Sequence, residues 1–168
     1  MADPQVTIDI GGAVSAGLSA VQAIQNLLTG SRSATIEIDN NTGLSLTLYN
    51  STLDHGGWVK GPDPVIGPMT PTVFGSQNLG GSVMTGTQAS VQYISDDSLL
   101  WLWVGWDNPY IGSNKAGASL GWANADQYMI RFIVGSGNTQ AQFRFLLLPN
   151  PGSVYARIKN ITQGQSFL

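Results

Sequence analysis

The stretch Ser33-Ala34-Thr35-Ile36-Glu37-Ile38-Asp39-Asn40-Asn41-Thr42-Gly43-Leu44-Ser45-Leu46-Thr47-Leu48 decides the fold by its alternation. Ile36 and Ile38 alternate with polar residues, and Leu44, Leu46 and Leu48 do so again beyond the turn chemistry of Asn40-Asn41-Thr42-Gly43. A period of two sends successive side chains to opposite faces of a strand, so the stretch is expected to form a hairpin. Downstream, the same patterning predicts strands at 87–94, 99–106, 116–123, 128–134, 140–148 and 154–161. Between them stand Ser95-Asp96-Asp97-Ser98, Asp107-Asn108-Pro109, Gly135-Ser136-Gly137-Asn138 and Pro149-Asn150-Pro151-Gly152, all turn-forming. Pro62, Pro64, Pro68 and Pro71 mark an irregular loop. Short strands at regular spacing predict a mostly β chain: one domain over 1–168, a β-sandwich of about ten strands.

Upstream of this stretch the period changes to that of a helix. No residue from Ile10 to Ser31 carries a charge. Val14, Leu18, Val21 and Leu28 are expected on one face, widened by Ile24 and Leu27, while Ser15, Ser19, Gln22, Asn26 and Thr29 line the other. Gly11-Gly12 suits a flexible entry and Gly30 a C-cap, which predicts an amphipathic helix over 13–29. A helix that only packs on a sandwich usually carries Lys and Glu on its outer face. Fully helical, the span from Ile10 to Thr29 would reach about 30 Å, the thickness of a bilayer's hydrocarbon. Permanent docking on the sheet through Val14, Leu18 and Val21 is the competing reading.

Composition excludes several function classes. Only 10% of the 168 residues are charged, so the surface must be built largely of Ser, Thr, Asn, Gln and Gly. A net charge of −3 and seven dispersed basic residues (Arg32, Lys60, Lys115, Arg131, Arg144, Arg157, Lys159) argue against nucleic acid as a partner. With no cysteine, disulfides, thiolate metal sites and thiol nucleophiles are all excluded. The opening Met-Ala-Asp-Pro-Gln has no basic region and does not read as a signal peptide. His55, the only histidine, lies in Leu53-Asp54-His55-Gly56-Gly57, which reads as a turn rather than as part of a Ser51, Asp54, His55 triad. Glu37 is the only glutamate, and neither Gly11-Gly12 nor Gly80-Gly81 is followed by a phosphate-loop Lys. No catalytic residue, metal site or cofactor is expected.

The segment Trp101-Leu102-Trp103-Val104-Gly105-Trp106-Asp107-Asn108-Pro109-Tyr110-Ile111 is the richest in chemistry. Trp101 and Trp103 share a strand face, and packing in the core would account for them. Trp106, Tyr110 and Ile111 are expected at a strand end and in a loop, where large apolar groups are not needed for packing. Indole and phenol rings suit the lipid headgroup layer, and they stack equally well on sugars.

Taken in order, these parts resemble the actinoporins, cysteine-free pore-forming cytolysins. The resemblance rests on the helix of Gly11–Gly30, the connector Ser31-Arg32-Ser33, and Ile36-Glu37-Ile38-Asp39-Asn40-Asn41-Thr42-Gly43. Further on, Gly81-Ser82-Val83-Met84-Thr85-Gly86 and Val104-Gly105-Trp106-Asp107 are similar to the family's loops. It spans roughly 9–148. The resemblance implies a secreted or released protein that acts at a target cell membrane. It implies that Val83, Trp106, Asp107, Asn108, Tyr110 and Ile111 lie near a phosphocholine-type headgroup. It also implies that the helix of Val14, Leu18, Val21, Ile24 and Leu28 inserts as protomers self-associate into a pore. Gly105 stands where the family has proline, and the family's second, tyrosine-rich helix has no counterpart between Ala123 and Tyr128. The rival expectation is a lectin whose glycan meets Trp106, Asp107, Asn108 and Tyr110.

Overall fold

The computed structural model describes residues 11–82 and 84–153, with side chains from Gly17 onward. The expected strand at 154–161, Val83 and the side chain of Val14 lie outside the described residues. Helix α1 spans Gly11–Leu27. The first sheet runs in the order β3 (Gly57–Lys60), β5 (Thr70–Gln77), β1 (Ser33–Asn40), β10 (Gln140–Pro149), β9 (Tyr128–Val134). The second runs β4 (Val65–Ile66), β2 (Leu46–His55), β6 (Thr87–Ser95), β7 (Trp101–Asn108), β8 (Lys115–Gly121). A single 3-10 turn, Ala125–Gln127, lies between β8 and β9.

The expected hairpin at 36–48 does not form. Its two halves are real strands, but β1 lies in the first sheet and β2 in the second. β1 pairs in parallel with β10 and antiparallel with β5, while Leu46 of β2 pairs with Ile66 and Ser95. The turn is built by side chains: Asn40 Nδ2 donates to Leu44 O (2.7 Å) and Gly67 O (2.9 Å), and Thr42 Oγ1 donates to Asn40 Oδ1 (2.6 Å). These bonds swing the chain from one layer to the other. The proline segment is likewise more ordered than expected, since β4 and the start of β5 fall within it.

Every residue of β1 is buried, because both of its faces are covered. Ala34, Ile36 and Ile38 enter the core between the sheets, where they meet Phe74, Val91, Leu102, Val104, Phe143 and Phe145. The opposite face, with Thr35, Glu37 and Asp39, lies beneath α1. Val21 and Ile24 of the helix, and Leu28 just past its end, pack on Val73 of β5, with Ala20 and Val59 at the margin. A Cβ at Gly75 would stand 2.6 Å from Ile24 Cγ2, so glycine there lets the helix sit close to the sheet. Leu18 is 63% exposed, which corrects its expected place on the apolar face. At about 100° per residue the docked stripe is Gly17, Val21, Ile24 and Leu28, and Leu18 falls a quarter-turn away.

Under the helix lies a charge cluster. Arg144, opposite Glu37 in the β1–β10 register, donates from Nε and Nη2 to Asp39 Oδ2 (2.7 Å each) and stands 3.5 Å from Glu37 Oε2. A Cβ at Gly17 would come within 2.5 Å of Glu37 Oε1, so this carboxylate touches the helix. Burial, and then the neighbouring Asp39 charge, push the Glu37 carboxyl above its usual value, against the pull of Arg144.

Candidate functional site

At one end of the sandwich, the ends of β2 and β7 and the start of β6 place His55, Gln88 and Asp107 side by side in register. All three belong to a cleft of about 370 Å³ whose other walls are Met84, Thr85, Gly86, Pro109, Tyr110 and Ile111. His55 reaches this position because Gly56 turns the chain with φ +95°, a conformation that a side chain would strain. Gly86 packs against the Asn108 and Pro109 backbone, leaving no room there for a Cβ.

The loop carrying Tyr110 and Ile111 is held from two sides. Arg32 Nη2 donates to Tyr110 O (3.0 Å), and its guanidinium carbon lies 4.8 Å from the Tyr110 ring centroid, a cation–π contact. Asn114 Nδ2 donates to Gly135 O (3.0 Å) and Gly137 O (2.8 Å), tying the loop to the turn between β9 and β10. On this frame Ile111 is 75% exposed and Met84 59%. Met84 also has φ +58°, a left-handed backbone uncommon for a long side chain. The site therefore joins a polar floor to an apolar rim that faces solvent.

The sequence-expected residues divide. Asp107, Tyr110 and Ile111 line the cleft, and Val83 lies outside the described residues. Trp106 and Asn108 are not loop residues at all; both belong to β7 and point into the protein. Trp106 is 3% exposed, donates from Nε1 to Ser76 Oγ (3.3 Å), and packs 5.9 Å from Trp58 and 5.7 Å from Phe74 between ring centroids. Asn108 Nδ2 donates to Ser33 O (2.9 Å), fastening β7 to the start of β1. The physical reason is strand parity: β7 runs two residues further than expected and sends Leu102, Val104, Trp106 and Asn108 inward. Trp101 and Trp103 consequently lie half-buried on the outer face.

Sequence reading missed His55, Met84 and Gln88. The sequence pattern put His55 in a turn, whereas it is the last residue of β2, and the β2–β6 register brings it to Gln88. Among the described residues no group of three or more His, Asp or Glu is placed to hold a metal ion, and no helix is long and apolar enough to cross a membrane.

The architecture is shared with a solved structure. The lipid binding protein Nakanori superimposes with a TM-score of 0.67 over 80% of this chain and 79% of its own, at 16% sequence identity. No family model matches the sequence, and no curated protein does either. At that identity the likeness is one of fold alone.

Proposed function

We propose that this protein binds a lipid headgroup at the loop-end cleft and attaches to membranes through its apolar rim. One observation carries the reading: exposed Met84 and Ile111 stand beside a polar cleft, so a headgroup seated against Asp107 and Tyr110 leaves both side chains at the depth of the acyl chains. Asp107 and the Tyr110 ring suit a quaternary ammonium, as in a phosphocholine-type headgroup. That the similarly folded Nakanori is a lipid binding protein supports the reading. Attachment needs no catalysis.

The finer proposal is pore formation by the N-terminal helix. Val21 and Ile24 of α1 and Leu28 just past its end, with Ala20 at the margin, hold the described part of the helix to the sheet by apolar burial. At about 1.5–3 kcal/mol each when fully buried, they form a small anchor that competing lipid contacts can replace. The connector would act as the pivot: Thr29 N and Gly30 N both donate to Gln77 Oε1 (2.9 Å), and Arg32 N donates to Asn78 Oδ1 (3.1 Å). The released helix would then insert as protomers self-associate.

Vesicle flotation and dye release on phosphatidylcholine–sphingomyelin liposomes test both levels. Ile111→Ser with Met84→Ser should cut vesicle binding at least about tenfold, since each apolar side chain withdrawn from lipid contributes about 1.5–3 kcal/mol. Unchanged binding would sink the attachment reading. Wild-type binding without any dye release would limit the function to attachment.

A further inference from the structure

The outer face of the second sheet carries a separate cleft of about 330 Å³, floored by Trp103. Its ring is laid down along β7 because the next outward position is Gly105, and Gly105 pairs with Gly117 of β8. A Cβ at Gly105 would stand 2.7 Å from the Trp103 ring, and one at Gly117 3.2 Å. Two glycines thus clear a bed on which the indole lies flat and half-buried. Around it stand Asp54, Gln88, Asp107 and Lys115. Asp107 and Lys115 are cross-strand neighbours, yet no ion pair joins them. None of these four polar side chains makes a hydrogen bond or ion pair among the described residues, whereas Glu37, Asp39 and Arg144 of the β1–β10 pair are all engaged. Helix α1 covers the opposite sheet, so no described element packs over this face.

We propose that this bed is a carbohydrate-binding site for a single pyranose ring. A flat, rigid indole offers an apolar platform to the C–H face of a sugar. Carboxylate, amide and ammonium groups at its margin supply both acceptors and donors for ring hydroxyls. A purely apolar ligand would leave them dehydrated and unpaired, at a cost. A phosphorylated ligand would meet two carboxylates against one ammonium. A neutral polyol fits both the ring and its rim. Because Gln88 and Asp107 also wall the loop-end cleft, the sugar could belong to a glycolipid headgroup or to a soluble glycan. The site itself does not depend on membrane attachment.

Saturation-transfer NMR with the methyl glycosides of glucose, galactose, mannose, N-acetylglucosamine and N-acetylgalactosamine tests the soluble source. Flotation with phosphatidylcholine vesicles, with and without galactosylceramide, tests the lipid source. At least one glycoside, or the glycolipid vesicles over the plain ones, should bind. Trp103→Ala should weaken that binding at least about tenfold, by loss of the stacking platform. Asp54→Ala, a change at an exposed residue outside the loop-end cleft, should weaken it about threefold to tenfold through one lost hydrogen bond. Ile111→Ser should leave glycoside binding unchanged, which separates this site from the attachment rim. The proposal is overturned if no glycoside and no glycolipid binds, or if binding survives both Trp103→Ala and Asp54→Ala.

Discussion

Trp106 fills the gap between Trp58 and Phe74, and its indole N–H is satisfied by Ser76 inside the core. Truncating it would leave a large cavity, while Ser76 Oγ would keep the hydrogen bond it accepts from Thr87 Oγ1 (2.7 Å). Trp106→Ala should therefore destabilise the fold by about 3–5 kcal/mol, seen as a lower urea midpoint with unchanged slope. Ile111→Ser, at a residue 75% exposed, should shift stability by less than about 0.5 kcal/mol. A small effect for Trp106→Ala would contradict the core assignment. The residue beneath the helix makes a second, pH-dependent prediction. Burial holds the Glu37 carboxyl above its ordinary value of 4.5, so the folded protein binds this proton more tightly than the unfolded chain. Its contribution to stability is thus fully present below that ordinary value and falls as pH rises through the raised one. Glu37→Gln should flatten the decline in melting temperature with pH above 4.5 while Asp39 keeps hold of Arg144. An unaltered pH profile would show that Glu37 is not the titrating group.

Among the elements, α1 gives the clearest test of the proposed insertion. Leu18 is off the docked face and 63% exposed, so Leu18→Asp leaves the resting fold intact. A charge at the centre of an inserted helix costs about 2.5–3.5 kcal/mol. The variant should keep its melting temperature and vesicle binding but lose dye release; full release would remove the helix from the mechanism. The helix and the strands β6 to β10 were legible in the sequence because their periodicity is local. β9 matches its expected span residue for residue, and β10 exceeds it by one. β5 was not legible, since Thr70-Pro71-Thr72 opens it with the same residue that marked a loop. Nor was the partner of β1, because an Ile-Glu-Ile-Asp alternation says which face is apolar but not which strand lies beside it. The site was half legible. Tyr110 and Ile111 were placed correctly as loop residues, whereas Trp106 was read as leaving the strand; β7 continues two residues past it, so its direction is set by strand parity with Leu102 and Val104.

At the scale of the whole molecule, charge is scarce, and three of the five described basic residues are committed. Arg32 stacks on Tyr110, Lys60 pairs with Asp63, and Arg144 holds Glu37 and Asp39. Lys115 and Arg131 are the basic residues left without such a partner among the described ones, too few for a polybasic patch. Each Lys or Arg near an anionic surface contributes about 1 kcal/mol that salt removes. Vesicle binding should accordingly change less than about threefold between low and physiological salt, and added phosphatidylserine should not help. A steep salt dependence would contradict attachment by apolar insertion. The parallel seam between β1 and β10 bears on how the chain is made. β1 leaves the ribosome early, yet its register Ser33↔Gln140 waits for a strand synthesised about a hundred residues later. The seat of α1 is built on β1 and β5, so the helix precedes its own seat in the chain and docks only once both strands are in place. Until that seat forms its uncharged apolar stripe has no cover, and a chain arrested before Gln140, lacking the β10 neighbour of β1, is expected to offer that stripe to chaperones or to the nearest bilayer.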